Sequence, residues 1–224
     1  MEFIFWGMGH MATIYYTFCS QRTGHPGAYL VYQRNLADKI LQCGFYNCYG
    51  IGFQKEYIRK GIHGKPYWAG EGDIHFNRTN TDGFVACGIS GCEIGVDAEK
   101  AREVRMPVVR RCCSRKEMDY IFHGEDGEAE GKKWERFFQI WTLKESYLKM
   151  TGEGLGIPLK EVSFSIQQEG GEVSVTCNHP GYFAQKQIGG YCGSMSILWT
   201  KKVERLCCFF KFLILLLLWC QITN

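Results

Sequence analysis

The sequence predicts an α+β fold, and three observations point to it. Two amphipathic helical stretches, one near residue 30 and one near residue 140, stand among short strand-like runs. Those runs are separated by Gly, Asn and Pro turns. The small-residue-rich runs GFVACGIS and YCGSMSIL each close a helix-then-strands unit, which hints at a duplicated architecture.

Taken in order, MEFIFWGMGHMATIYYTFCS is apolar and aromatic with one acidic residue and is compatible with a first strand or with an uninformative start. From Gly27, the residues Tyr29, Leu30, Leu36, Ile40 and Leu41 recur at roughly helical spacing, with Gly44 suited to the helix end. A Gly/Pro turn, GIHGKPYW, a short segment, DIHFNRTN, and an apolar strand, GFVACGIS, come next. The Gly91 turn, with apolar runs on both sides, predicts a hairpin into GCEIGVDAEK. SRKEMDYIF opens on Ser114 with Glu117 three residues later, the form of a capping box before a short helix. HGEDGEAEGKK is read as a solvated loop. WERFFQIWTLKESYLKMTGEG predicts the strongest helix in the chain. Phe137, Ile140, Trp141, Leu143, Tyr147, Leu148 and Met150 supply its apolar faces, and Gly152 or Gly154 ends it. EVSFSI, EVSVTC, YFAQKQI and YCGSMSILW read as strands.

With 224 residues, 46% of them hydrophobic, the chain can bury a sizeable core. A formal charge of +3 from 26 basic and 23 acidic residues lacks the basic footprint of a nucleic-acid binder, so an anionic ligand needs a local patch. The N-terminus has no basic n-region of a signal peptide, which predicts a cytoplasmic protein with its 12 cysteines reduced. Cys43/Cys48 and Cys87/Cys92 are C-x4-C pairs, but C-x2-C is absent, and no metal is assigned to cysteine. The tail holds only nine uninterrupted apolar residues, Phe212 to Cys220, short of the ~20 a bilayer needs. Membrane contact through it is not expected; a buried or accessory tail is favoured, with a sequence artefact as a further reading.

The chemistry concentrates at two places. In an extended segment alternate residues share a face, so Asp97 and Glu99 project together and away from Val96 and Ala98. Taken alone, the pair favours a solvated strand end with Lys100 and Arg102 nearby. Two such carboxylates also suit a hard divalent cation such as Mg²⁺, which takes one or two carboxylates plus phosphate oxygens and water. Glu145 and Lys149 stand at i and i+4 on the strong helix, Glu145 46 to 48 residues beyond the dyad, and could add a third ligand and a phosphate-facing cation.

At those residues the chain resembles the 4′-phosphopantetheinyl transferases of the surfactin-synthetase-activating (Sfp) type. IGVDAEK and WTLKESYLK are similar to the two parts of that family's signature. GKPYW and HFNRTN are similar to its Gly-Lys-Pro and Phe-Asn-x-Ser-His elements, and GEGLGIPLKEVSFSI to the segment after its catalytic helix. The resemblance implies two similar α+β halves in one chain, with the active site between them. The expected division is 1–92 for the coenzyme A nucleotide side, 93–205 for the Mg²⁺-binding and catalytic half, and 206–224 for the hydrophobic tail. It implies a holo-[acyl-carrier-protein] synthase activity: transfer of the phosphopantetheine arm of coenzyme A to a serine of an apo acyl or peptidyl carrier protein, releasing adenosine 3′,5′-bisphosphate. A double-length chain implies a monomer.

By motif position, Asp97, Glu99 and Glu145 would hold Mg²⁺, with Glu145 also the acceptor of the serine proton and Lys149 beside the leaving phosphate. Lys65, Pro66, Thr79, Asn80, Lys144 and Arg22 are expected on the coenzyme A side, with Lys144 supporting the catalytic glutamate and His25 near Arg22. Two departures weaken the expected grip. Thr79-Asn80 replaces Ser-His, and asparagine lacks the charge of a protonated histidine, leaving His63 or His75 to compensate. The stretch before Arg22 has no lysine or arginine. They motivate an alternative, an impaired relative that binds coenzyme A or carrier without transfer. A carboxylate-metal nuclease is disfavoured by the modest charge and by the order of Glu99-Lys100.

Overall fold

The computed structural model describes residues 12–20, 22, 24–123, 132–169, 172–197 and 208–212. Strand β1 (Ala12–Phe18) leads into helix α1 (Pro26–Tyr49), a small hairpin of β2 (Ile58–Lys60) and β3 (Pro66–Trp68), and the longer β4 (His75–Thr81) and β5 (Phe84–Ser90). The second half repeats the plan with β6 (Ile94–Lys100), helices α2 (Met106–Cys112), α3 (Arg115–His123) and α4 (Lys133–Thr151), then β7 (Phe164–Glu169), β8 (Glu172–Cys177), β9 (Tyr182–Ile188) and β10 (Tyr191–Ile197). A last strand, β11 (Cys208–Phe212), runs parallel to β1.

The hydrogen-bonded strand orders are β1-β5-β4 in the first half and β6-β10-β9 in the second. Each half is thus a strand, a helix and a returning antiparallel pair whose last strand sits in the middle. This is the duplicated α+β architecture that the two small-residue strands hinted at. Each half has its own core: Leu36, Ile40, Leu41 and Phe45 of α1 against Val85, Cys87 and Ile89, and Phe137, Ile140, Leu143 and Met150 of α4 with Val162 and Phe164. A third cluster of Ile14, Phe84 and Ala86 with Ile94, Val96 and Ala98 joins the two sheets. Fully burying a large apolar side chain such as Ile14, Phe84 or Ile94 contributes about 1.5–3 kcal/mol, so this cluster helps to hold the halves together.

Several local expectations hold. Ser114 and Glu117 form the capping box, with the Ser114 N–H donating to Glu117 Oε2 at 2.6 Å and the Glu117 N–H to Ser114 Oγ at 3.4 Å. Helix α4 ends on Gly152, whose φ of 72° is the left-handed conformation a C-cap glycine supplies.

Two expectations are corrected. Helix α1 runs past Gly44 to its left-handed cap at Gly50. Gly44 is buried inside it because a Cβ there would collide with Ile89 and Tyr15, so the missing side chain allows close contact with the sheet. The Gly91 turn makes no hairpin. Both edges of β5 are already hydrogen-bonded, to β1 and β4, so the chain crosses at Gly91 into the second sheet, where β6 pairs with β10. Helix α2 was not foreseen. Residues 124–131 of the expected loop, and the tail beyond residue 212, lie outside the described residues.

Candidate active site

Strand β6 resolves the first question of the dyad. Ile94, Val96 and Ala98 enter the cluster between the sheets, so Gly95, Asp97 and Glu99 are left facing α4. A Cβ on Gly95 would run into the Ser146 carbonyl and the Met150 backbone. Only glycine permits this approach of strand and helix, which brings the carboxylates of β6 alongside Glu145 and Lys149.

The neighbouring edge strand β4 reaches the same carboxylates from the first half. The Val96 N–H donates to Asn77 Oδ1 at 3.0 Å, Thr79 Oγ1 donates to Asp97 Oδ1 at 3.1 Å, and Thr81 Oγ1 donates to Glu99 Oε2 at 3.2 Å. These are every second residue of β4, so one face of the strand makes a polar ladder to β6. Lys149 Nζ sits on Asp97 Oδ1 at 2.6 Å and also donates to Thr79 Oγ1 and the Val96 carbonyl. Its partner is therefore Asp97 on β6, and not Glu145 one turn away. Arg102 Nη1 donates to Glu99 Oε2 at 2.8 Å.

Two adjoining clefts open here. The larger, about 530 Å³, is lined by Lys65, Pro66, Asn80, Glu145 and Lys149, together with His63 and Arg78. The smaller, about 310 Å³, is lined by Thr79, Asn80, Asp97, Glu99, Glu145 and Lys149, with Trp141 and Arg78. Burial raises the pKa of Glu145, Asp97 and Glu99 add to the rise, and Lys149 opposes it.

The three carboxylates are brought to one cleft but not to one point: among the described residues no three His, Cys, Asp or Glu side chains are already gathered to hold a metal ion. Asp97 Oδ2 is nonetheless buried and without a hydrogen-bond partner among the described residues. A buried carboxylate oxygen without a donor is costly, and a hard cation is one ligand that would satisfy it. The donor set therefore fits Mg²⁺.

The remaining site residues divide. Lys65 pairs with Glu93 and donates to the Met150 carbonyl at 2.7 Å, tying the Gly-Lys-Pro turn to the end of α4. Asn80 Nδ2 donates to Gln33 Oε1 of α1 at 3.0 Å. His63 lines the larger cleft, whereas His75 is engaged by Asp73 and Glu93. Lys144 is not brought to either cleft. It is wholly buried on the opposite side of α4, where Nζ pairs with Glu117 Oε2 at 2.9 Å and donates to the Leu159 and Val162 carbonyls. Arg22 lies outside both clefts, its backbone N–H bonded to Asp82, and His25 caps α1 by accepting from the Gly27 N–H. Arg78 and Trp141 line the site and were missed. Arg78 falls on the variable position of the Phe-Asn element, and only its two-residue offset from Asn80 on one strand pointed to it.

Residues 93–194 match the 4′-phosphopantetheinyl transferase superfamily model. The chain is 31% identical over 114 residues to the 4′-phosphopantetheinyl transferase Sfp of Bacillus subtilis strain 168, covering 50% of this chain and 48% of that protein. It is 29% identical over 128 residues to the 4′-phosphopantetheinyl transferase gsp of Aneurinibacillus migulanus, covering 57% and 52%. The phosphopantetheinyl transferase of Thraustochytrium sp. is 32% identical over 126 residues, covering 51% and 44%. The Sfp-type resemblance read from the motifs is borne out. The chain spans about half the length of these curated relatives. A solved holo-[acyl-carrier-protein] synthase from Thermotoga maritima aligns at a TM-score of 0.38 with 14% identity, over 49% of this chain and 64% of that one. No helix among the described residues is long and apolar enough to cross a membrane.

Proposed function

We propose that this chain transfers the 4′-phosphopantetheine arm of coenzyme A to a serine of an apo carrier protein. The observation that carries the reading is the seam: Asp97, Glu99, Glu145 and Lys149 meet Lys65, Thr79 and Asn80 around adjoining clefts, from motifs that resemble those of the Sfp-type transferases. Both halves contribute, so one chain suffices and the acting form is a monomer.

In this reading the serine oxygen attacks the phosphorus that bears the pantetheine arm. A phosphate ester forms, the pyrophosphate P–O bond breaks, and adenosine 3′,5′-bisphosphate departs. Glu145, facing both clefts, receives the serine proton. Lys149 lines both clefts and swings its ammonium from Asp97 towards the departing phosphate, where a compact point charge offsets the developing negative charge. Lys65 and Pro66 close the nucleotide side as a rigid turn. Asp97, Glu99 and Glu145 would hold Mg²⁺, which when bound supplies Lewis-acid neutralisation of the pyrophosphate.

The test incubates the protein with coenzyme A, Mg²⁺ and a panel of apo acyl and peptidyl carrier proteins and reads the carriers by intact-protein mass spectrometry. Addition of a phosphopantetheine mass is expected. Coenzyme A binding with no carrier modified would instead select the impaired-relative reading.

A further inference from the structure

Gln33 is polar at a buried position of α1, where Leu36, Ala37, Ile40, Leu41 and Phe45 are its buried companions. An amide carried into such a face is costly unless its donors and acceptor are paired. Gln33 is 3% exposed and spends its amide on one target, the far end of β4. Its Nε2 donates to the Thr81 carbonyl at 2.6 Å, and its Oε1 accepts from Asn80 Nδ2 at 3.0 Å. Tyr29, one turn earlier on the same helix, holds the turn that follows. Its hydroxyl accepts from the Gly83 N–H at 2.9 Å and donates to the Ser20 carbonyl at 2.7 Å.

Among the described strands β4 is the edge of its sheet, so only β5 fixes it by a backbone ladder. Successive residues of a strand point to opposite faces, so Asn80 turns to α1 while Thr79 and Thr81 turn to β6. There Thr79 Oγ1 donates to Asp97 Oδ1 and Thr81 Oγ1 to Glu99 Oε2. The other donor to Glu99 Oε2 among the described residues is Arg102, whose side chain is 59% exposed. Thr81 is thus a joint: its carbonyl accepts from Gln33 on one side, and its hydroxyl donates to Glu99 on the other. A route of hydrogen bonds runs from the buried face of α1, through the end of β4, to the carboxylates of β6.

We propose that Gln33 is a positioning residue for the candidate metal site: by fixing the end of β4 from behind, it sets where Thr81 and Thr79 hold Glu99 and Asp97. The inference rests on the transferase reading, in which those carboxylates would hold Mg²⁺. Gln33 lines neither cleft and acts only through Thr81 and its neighbours.

The experiment uses Gln33→Met, which keeps the length of the side chain and removes both amide contacts. Binding of Mn²⁺ alone, an ion that suits carboxylate ligands as Mg²⁺ does, is read from the loss of the free-ion electron paramagnetic resonance signal, and carrier modification is titrated with Mg²⁺. Mn²⁺ affinity is expected to fall about tenfold, the scale on which groups that orient metal ligands act, and the Mg²⁺ needed for half-maximal transfer to rise by as much. The kcat at saturating Mg²⁺ is expected to stay within about twofold of wild type. Thr81→Val is expected to weaken Mn²⁺ binding similarly, and the double variant no further than either single one, because Gln33 acts through Thr81. A helix that was merely loosened would give additive effects. Unchanged Mn²⁺ affinity in Gln33→Met, or additivity with Thr81→Val, overturns the assignment and leaves the transferase reading standing. Wild type that binds Mn²⁺ but modifies no carrier overturns the transferase reading, and the Mn²⁺ measurements then decide the role of Gln33. Wild type that takes up no Mn²⁺ overturns the assignment. If Gln33→Met fails to fold, Gln33→Asn decides: weakened Mn²⁺ binding that Thr81→Val does not deepen supports the role, and unchanged binding overturns it.

Discussion

The two halves share a topology and bring opposite charge to their common seam. The first half, through β3, β4 and α1, brings Arg34, Lys65 and Arg78; the second, through β6 and α4, brings Asp97, Glu99 and Glu145. Neither set is a site alone. Three carboxylates facing one cleft repel one another, and the cations opposite would merely be a basic surface. The threonine ladder from β4 to β6 and the reach of Lys149 to Thr79 join what the fold duplicates, so the specialisation lies in side chains on equivalent frames.

The comparison is broken most severely at Glu145. Glu145→Gln keeps shape and hydrogen-bonding capacity but cannot take a proton at neutral pH, and is expected to lower transfer by about 100-fold or more. Intact-mass assays of the carrier read the loss, and circular dichroism checks that the fold is kept. Full activity in this variant would remove Glu145 from the chemistry.

Next in size is the second half's own scaffold. Lys144→Met leaves Glu117 buried with its cation gone, which is expected to cost about 3–5 kcal/mol in urea unfolding. Adding Glu117→Gln is expected to recover part of that loss, whereas a solvent-exposed pair would move by under about 1 kcal/mol in either variant.

Gly95→Ala forces β6 away from α4, since the added carbon meets the Ser146 carbonyl and the Met150 backbone. A cost of about 1–3 kcal/mol is expected. Transfer should fall further than this loss accounts for, because the shift separates Asp97 from Lys149; a loss explained wholly by unfolding would blunt the argument that Gly95 sets the approach of β6 to α4.

The smallest effect lies where the halves meet near Lys65. Burial raises the Glu93 pKa, but hydrogen bonds from His75 and Lys65 outweigh it and lower it from 4.5 to about 2. A lowered carboxyl contributes stability that is present above pH 4.5 and lost as pH falls towards 2. His75 is raised above 6.5, chiefly by its hydrogen bond to Glu93, so its contribution is present below 6.5 and lost as pH rises through the raised value. Because Glu93 is 42% exposed, solvent screening keeps the effect small. Unfolding curves of wild type and Glu93→Gln should separate above pH 4.5 and converge near pH 2; parallel curves would mean that the cluster adds nothing to the seam.

Much of the candidate site was legible because its signals are local. Asp97 and Glu99 are two apart on a strand, Glu145 and Lys149 four apart on a helix, and each spacing fixes a shared face without knowledge of the rest. The capping box at Ser114 and Glu117 and the glycine stop of α4 were legible for the same reason. Lys144 could not be assigned correctly, because its neighbour Glu145 faces the cleft while Lys144, one residue earlier, turns to Glu117 of α3. Arg78 was hidden at a position that the motif leaves variable.

By itself, then, the sequence determined the α+β class, the acidic dyad, the catalytic-looking helix and the order of the motifs, all of which come from periodicity and short-range geometry. Only the tertiary structure decided that β5 has no free edge for a hairpin at Gly91 and that Gly95 lets strand and helix touch. It also decided that Lys149 answers Asp97 and that Arg78 shares Asn80's cleft. Those are relations between segments distant in sequence, fixed by which strand edges are already paired and by how closely two backbones can approach.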